Sequence, residues 1–133
     1  MTIRRIVPNI QVEAEEQMAT SRDFYGLLGF EEAMDLGWVT TMASPANPTA
    51  QISFFTEERT APVVSDLSVE VEDVDAVYAR VLASGAEVVR EIRDEEWGVR
   101  RFFVRDPNGR VVNVLTHLPA ARSSVRDDVR DQP

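Results

Sequence analysis

The chain has 133 residues, 44% of them hydrophobic, and a net charge of −9. That is the size of one compact domain or of two fused small modules, with enough apolar content for a core. The acidic balance, with no clustered positive charge, excludes a nucleic-acid or anionic-membrane surface as a partner and permits a cationic small molecule or a basic protein.

Cysteine is absent, and all 14 basic residues are arginine. Disulfides, thiolate metal sites, cysteine nucleophiles, Schiff-base lysines and a P-loop lysine are therefore out of reach. His117 is the sole histidine, so imidazole chemistry rests on one group. The opening "MTIRRIVPNIQVEAEE" has no long apolar run and reads as neither signal peptide nor membrane anchor, which makes a cytoplasmic protein the expectation.

In chain order, "IRRIVPNIQVE" alternates as a half-buried strand, with Ile6, Pro8, Ile10 and Val12 on one parity and Val7, Asn9 and Gln11 on the other. Pro8 cannot donate to a ladder, which predicts an edge strand or a locally broken pairing. "EEQMATSRDFYGLLG" has helical spacing at Met18, Ser21, Tyr25 and Leu28, widened by Phe24 and Leu27, with Gly29 as its stop. Three short strands follow in "FEEAMD", "WVTTMAS" and "AQISFFT". "EERTAP" then reads as a charged linker. The pattern restarts with the strand "SDLSVEVE". Next comes the amphipathic helix "DVDAVYARVLASG", with Asp73 as N-cap and Gly85 as C-cap. "AEVVREIR", "VRRFFVR" and "RVVNVLTH" are three more strands, the last two joined by the Asp106-Pro107-Asn108-Gly109 turn. The order strand, helix, three strands thus occurs twice. It predicts an α+β chain of two βαβββ modules, residues 3–57 and 64–118, in one domain over 1–118, with a polar C-terminal tail over 119–133.

This order, together with "RDFYGLLGF" in the first module and "VRDPNGRVVNVL" closing the second, resembles the vicinal oxygen chelate superfamily of glyoxalase I, extradiol dioxygenases and fosfomycin- and bleomycin-resistance proteins. The resemblance covers roughly residues 3–118, and "WGVRRFFVRDPNG" is most similar to the bleomycin-resistance branch. It implies a cup-shaped mixed sheet with the helices outside, and a homodimer. In metal-dependent members four strands each offer one ligand. Carried over, those positions fall on Val7, on Ser53 or Gln51, on Asp66 and on Asn113. Only Asp66 is an anionic ligand, so the resemblance implies a binder without metal or cofactor.

Residues sharing the ligand parity face the cup: Val7, Asn9 and Gln11; Gln51, Ser53 and Phe55; Asp66, Ser68 and Glu70; Asn113, Leu115 and His117. The opposite parity is apolar and is expected to pack on the helices. Trp38 and Trp97 each adjoin a glycine at a strand end and read either as core or as stacking surfaces for a planar ligand. Asp94, Glu95 and Glu96 beside Trp97 favour a cation, or else form a solvated loop. Arg100, Arg101 and Arg105 are expected to alternate across their strand and pair with acids. No catalytic residue is assigned. The expected ligand site comprises Trp97, Trp38, Phe55, Asp66, Glu70, Gln51, Ser53, Asn113 and His117, and the expected partner is an aromatic or cationic small molecule. The alternative is a metal-dependent lyase, isomerase or dioxygenase built around Asp66.

Overall fold

Period-two alternation in the apolar runs resolves into eight strands, interrupted by two helices. A computed structural model describes residues 2–119. The elements are β1 (Ile3–Gln11), α1 (Glu15–Leu27), β2 (Glu31–Asp35), β3 (Val39–Ala43), β4 (Gln51–Phe55), β5 (Leu67–Val71), α2 (Val74–Ser84), β6 (Val88–Asp94), β7 (Val99–Arg105) and β8 (Val111–His117). The tail expected over 119–133 lies outside the described residues beyond Pro119. Asp73 caps α2 by accepting from Ala76 N, and Gly85 closes it in the left-handed conformation. In the turn before β8, Gly109 N donates to Asp106 O at 3.1 Å and Gly109 holds a φ of 87°, which a side chain would resist.

The strands form one mixed sheet in the order β2-β3-β4-β1-β5-β8-β7-β6. β1 pairs parallel with β4, and β5 with β8, because a helix and two strands intervene in each half. The antiparallel β1–β5 pair joins the halves, with Val7 opposite Ser68. Pro8 therefore lies in a central strand, not at an edge. The ladder from β1 to β4 starts only at Asn9, so the pairing is broken locally at the proline.

The sheet is strongly curled. β3 and β7 are five strand steps apart, about 24 Å in a flat sheet at ~4.8 Å per step. Yet Trp38, at the entry to β3, and Trp97, in the turn before β7, have ring centroids 5.5 Å apart. Only a cup brings them together.

On the outer face, Met18 of α1 packs with Val12, Met42, Ile52 and Phe54. Val74 of α2 packs with Val71, Phe102 and Val114, and Tyr78 lies 4.8 Å from the Phe102 ring. The expectation that all outward apolar residues would lie beneath helices fails on β1, where Ile6 and Ile10 are 55% and 36% exposed. The reason is geometric: α1 sits over β4, and α2 over β6–β8, leaving the central β1 between them. Phe24, Leu27 and Leu28 of the first helical run are exposed too. Among the described residues no helix is long and apolar enough to cross a membrane.

Phe102→Ala, which empties the centre of the α2 core, should lower stability by about 3–5 kcal/mol. Ile6→Ala should change it by no more than about 0.5 kcal/mol. Urea unfolding of the two variants measures both, and equal losses would contradict this packing.

Candidate functional site

The inner face of the cup is polar and buried. Its centre is a neutral ring supplied by the four middle strands. Asn9 of β1 stands opposite Ser53 of β4, and Ser68 of β5 opposite Asn113 of β8. Asn9 Nδ2 donates to Ser65 Oγ and to Ser68 Oγ, both at 3.0 Å, and Asn113 Nδ2 donates to the same Ser68 Oγ at 3.0 Å. Ser53 Oγ and Thr41 Oγ1 are 2.7 Å apart. The Oδ1 atoms of Asn9 and Asn113 are buried and have no hydrogen-bond partner.

Further along the same face runs a chain of four side chains. Gln51 Nε2 donates to Pro48 O at 2.8 Å, and its Oε1 accepts from Arg5 Nη1. Arg5 Nε donates to Glu70 Oε1 at 2.7 Å, and His117 Nδ1 lies 2.8 Å from Glu70 Oε2. An ionised carboxylate only accepts, so Nδ1 donates to it, and Nε2 is buried without a partner. Burial pushes the Glu70 carboxyl up, but the hydrogen bond from His117 and the charge of Arg5 outweigh it and hold the group below its usual range.

At the mouth, Arg101 of β7 is fully buried, 0% exposed. Its Nη2 and Nη1 bond the two oxygens of Glu58 at 2.9 and 3.3 Å, and Nε bonds Glu95 Oε2 at 2.7 Å. Nη2 also reaches Thr60 Oγ1 at 2.7 Å, and that hydroxyl donates to Glu95 Oε2 at 2.7 Å. Arg90 Nη2 bonds Glu95 as well. The Arg101 guanidinium lies over the rings of Trp97 and Phe103, 5.0 and 4.8 Å from their centroids. Beside this cluster is a cavity of about 460 Å³ lined by Trp38, Arg59, Thr60, Arg93, Asp94, Glu95, Glu96 and Trp97. Gly98, at a φ of 92°, makes the turn that sets Trp97 against it.

The predicted residues thus fall into three groups. Trp38 and Trp97 meet at the cavity, although Trp38 is only 6% exposed and packs on Phe55, which is buried in the core and does not line the cavity. Ser53 and Asn113 belong to the central ring, while Gln51, Glu70 and His117 belong to the chain with Arg5. Asp66 joins none of them: its Oδ2 accepts from Val111 N at 2.7 Å and its Oδ1 faces Arg110, so it ties β5 to the start of β8. The acids beside Trp97 are also engaged, Glu95 by Arg90 and Arg101, and Asp94 by Arg100. Sequence reasoning missed Asn9, Arg5, Arg101, Glu58 and Thr60 as site residues. Strand parity did place Asn9 inward, and Arg5 shares that parity. Arg101 was ambiguous because Arg100 next to it points the opposite way, to Asp75 and Asp94.

Residues 14–114 match the sequence profile of the Glyoxalase/Bleomycin resistance protein/Dioxygenase superfamily. The chain belongs to that superfamily. Among curated protein sequences none matches it. A superfamily member from Vibrio splendidus 12B01 is 18% identical, with a TM-score of 0.63 over 86% of this chain and 99% of that one. A methylmalonyl-CoA epimerase from Streptomyces coelicolor, solved with 2-nitronate-propionyl-CoA, is 19% identical, with a TM-score of 0.59 over 87% and 99%. The Mn(II)-bound glyoxalase from Novosphingobium aromaticivorans is 17% identical, with a TM-score of 0.60 over 93% of this chain and 42% of its own. At these identities the likeness is one of fold.

The superfamily's metal does not fit the residues here. The central ring offers two amides and two hydroxyls, neutral and weak donors for a divalent ion. Asp66 is bonded to backbone outside the ring, and Glu70 and His117 share their site with the Arg5 cation. Among the described residues no three His, Cys, Asp or Glu side chains cluster as a ligand set.

Two outcomes follow from the buried charges. Glu58→Ala leaves Arg101 short of a carboxylate and should cost about 3–5 kcal/mol in urea unfolding, far more than an exposed ion pair is worth. Glu70, with its folded value depressed, contributes stability above its ordinary value of 4.5 and loses it as pH falls through the lower folded value. Glu70→Gln should therefore be less stable at neutral pH, and the gap to the wild type should close on acidification. A gap that stays constant with pH would show that this carboxylate is not depressed.

Proposed function

We propose that this chain is a metal-independent small-molecule-binding protein of the bleomycin-resistance type, which sequesters an aromatic, antibiotic-like ligand at the mouth of its cup. The observation that carries the reading is the cavity of about 460 Å³ with the indoles of Trp38 and Trp97 in its wall. Its volume suits a drug-sized molecule, and its wall sets the two indoles among polar and charged side chains that could orient one. Of the two ligand properties expected, aromatic and cationic, the first has the better support. Glu95 and Asp94 are already bonded to arginine, and Arg59 and Arg93 stand at the same rim. A cation would depend mainly on exposed Glu96 and the overall negative charge.

A homodimer is part of the proposal. The two modules of one chain complete the sheet between them, so a second copy is not needed to close the cup. The exposed Ile3, Ile6 and Ile10 of β1 supply an apolar outer surface for it to cover. Sedimentation velocity reads the mass directly, and a monomer at all concentrations would remove the dimer.

Tryptophan fluorescence titrated with planar aromatic natural products tests the main reading. Binding should quench the emission, and Trp97→Ala should weaken it at least ten-fold, the loss of about 1.4 kcal/mol. Quenching that persists unchanged in the variant would remove Trp97 from the site. Saturating Mg²⁺, Mn²⁺, Fe²⁺ or Zn²⁺ should leave the thermal midpoint where it was. A marked rise with one of them would favour the metal-dependent enzyme instead.

A further inference from the structure

We infer that the aromatic ligand of the mouth cavity is an anion, a ring bearing a carboxylate, with the charged group seated on the guanidinium of Arg93. This rests on the small-molecule reading above and adds the charge of the ligand. Three guanidiniums, those of Arg90, Arg93 and Arg101, gather on two carboxylates, Glu58 and Glu95. Glu58 bonds Arg101, and Glu95 Oε2 accepts from both Arg90 and Arg101. What remains for Arg93 is Glu95 Oε1, 4.0 Å from its Nε and too far for a hydrogen bond. Its close partner is a neutral one, Thr60 O, which accepts from Nη2 at 2.7 Å. One positive charge is thus left over within the trio. It falls on the arginine that lines the cavity and is 53% exposed, while Arg90 and Arg101 are buried. Burial, with the charges of Arg101 and Arg93, pulls Arg90 below its ordinary value against the opposing pull of Glu95. An anion at Arg93 would relieve that crowding.

Arg59 is a second cation of the same wall. It adjoins Thr60 in the chain, so the bond from Arg93 to Thr60 ties both arginines to one short stretch. Arg59 lies over the Trp38 ring, 6.0 Å from its centroid, and its pair with Glu57 is exposed on both sides and worth little. The acids of the wall offer a cation less. Asp94 bonds Arg100, and Glu95 is taken by Arg90 and Arg101. Glu96 is exposed and forms no ion pair among the described residues, so it opposes an anion only through charge that water and salt screen. A guanidinium fork matches a carboxylate in shape as well as in sign.

The test is isothermal titration calorimetry of the full chain with 2-naphthoate, 2-naphthamide and 2-naphthylmethylamine, which share a ring system and differ in charge. The naphthoate should bind roughly five-fold more tightly than the amide, and the amine more weakly than both. Arg93→Gln should abolish the preference and leave the amide's affinity unchanged, whereas Arg93→Lys, which keeps the charge, should retain most of it. Glu96→Gln should strengthen naphthoate binding about two-fold without moving the amide. Equal affinities in the wild type, a preference for the amine, or a naphthoate preference that survives Arg93→Gln overturns the inference. So does an Arg93→Gln variant that weakens all three probes alike, since the arginine then only supports Thr60. If the three bind equally and all weaken in Trp97→Ala, the reading of the mouth stands without the charge. If none binds the wild type, both fall.

Discussion

The buried guanidinium of Arg101 sets the terms for the mouth of this molecule. A charge with no access to water must be paired, and three acceptors converge on it from places far apart in the chain: Glu58 and Thr60 in the segment between the modules, and Glu95 in the turn before β7. The pairing draws the intermodule segment across the cup and holds the 95–98 turn against it. Trp97 is placed by the same contacts, with its ring under the guanidinium. The cavity bordered by the two tryptophans is thus walled on one side by the cluster that anchors Arg101. Two arginines and two carboxylates fix one another here, so little charge is left over for a ligand.

Deeper in the cup the chemistry changes. The four middle strands converge amides and hydroxyls at Asn9, Ser53, Ser68 and Asn113. Beyond the ring, Arg5, Glu70, His117 and Gln51 form a second paired charge chain. The inner face therefore reads as a neutral centre between two self-compensated charged ends. Its charges are spent on one another, even though the chain as a whole carries −9.

Much of this was legible from local pattern. All eight strands were legible, β1 and β5 from alternation and the others as short runs between turn signals, and Asp73 with Gly85 bounded α2 as the capping rules require. Parity placed Ser53, Gln51, Glu70 and Asn113 on one face. It failed at Asp66 because parity fixes direction only inside a ladder, and Asp66 stands one residue before β5, where a backbone N–H of β8 captures its carboxylate. It failed differently on β1, where the direction was correct but the cover was missing, since neither helix reaches Ile6 or Ile10. Glu95 and Glu96 looked alike in the sequence, yet one is buried between two arginines and the other is exposed.

The sequence by itself determined the elements, their order, the repeat and the inward face of β1, β4, β5 and β8, because those follow from periodicity and from the conformational limits of proline, glycine and capping residues. It also left Asp66 as the one anionic side chain among the four carried-over ligand positions. The tertiary structure alone decided which polar side chains satisfy one another. Arg101 finds Glu58 across 43 residues, Glu70 finds His117 across 47, and Asn9 finds Ser68 across 59. Such pairings depend on the curl of the sheet and the path of the linker, which are global properties. Whether a given acid grips a ligand or holds an arginine is settled only when those distant strands come within hydrogen-bond reach.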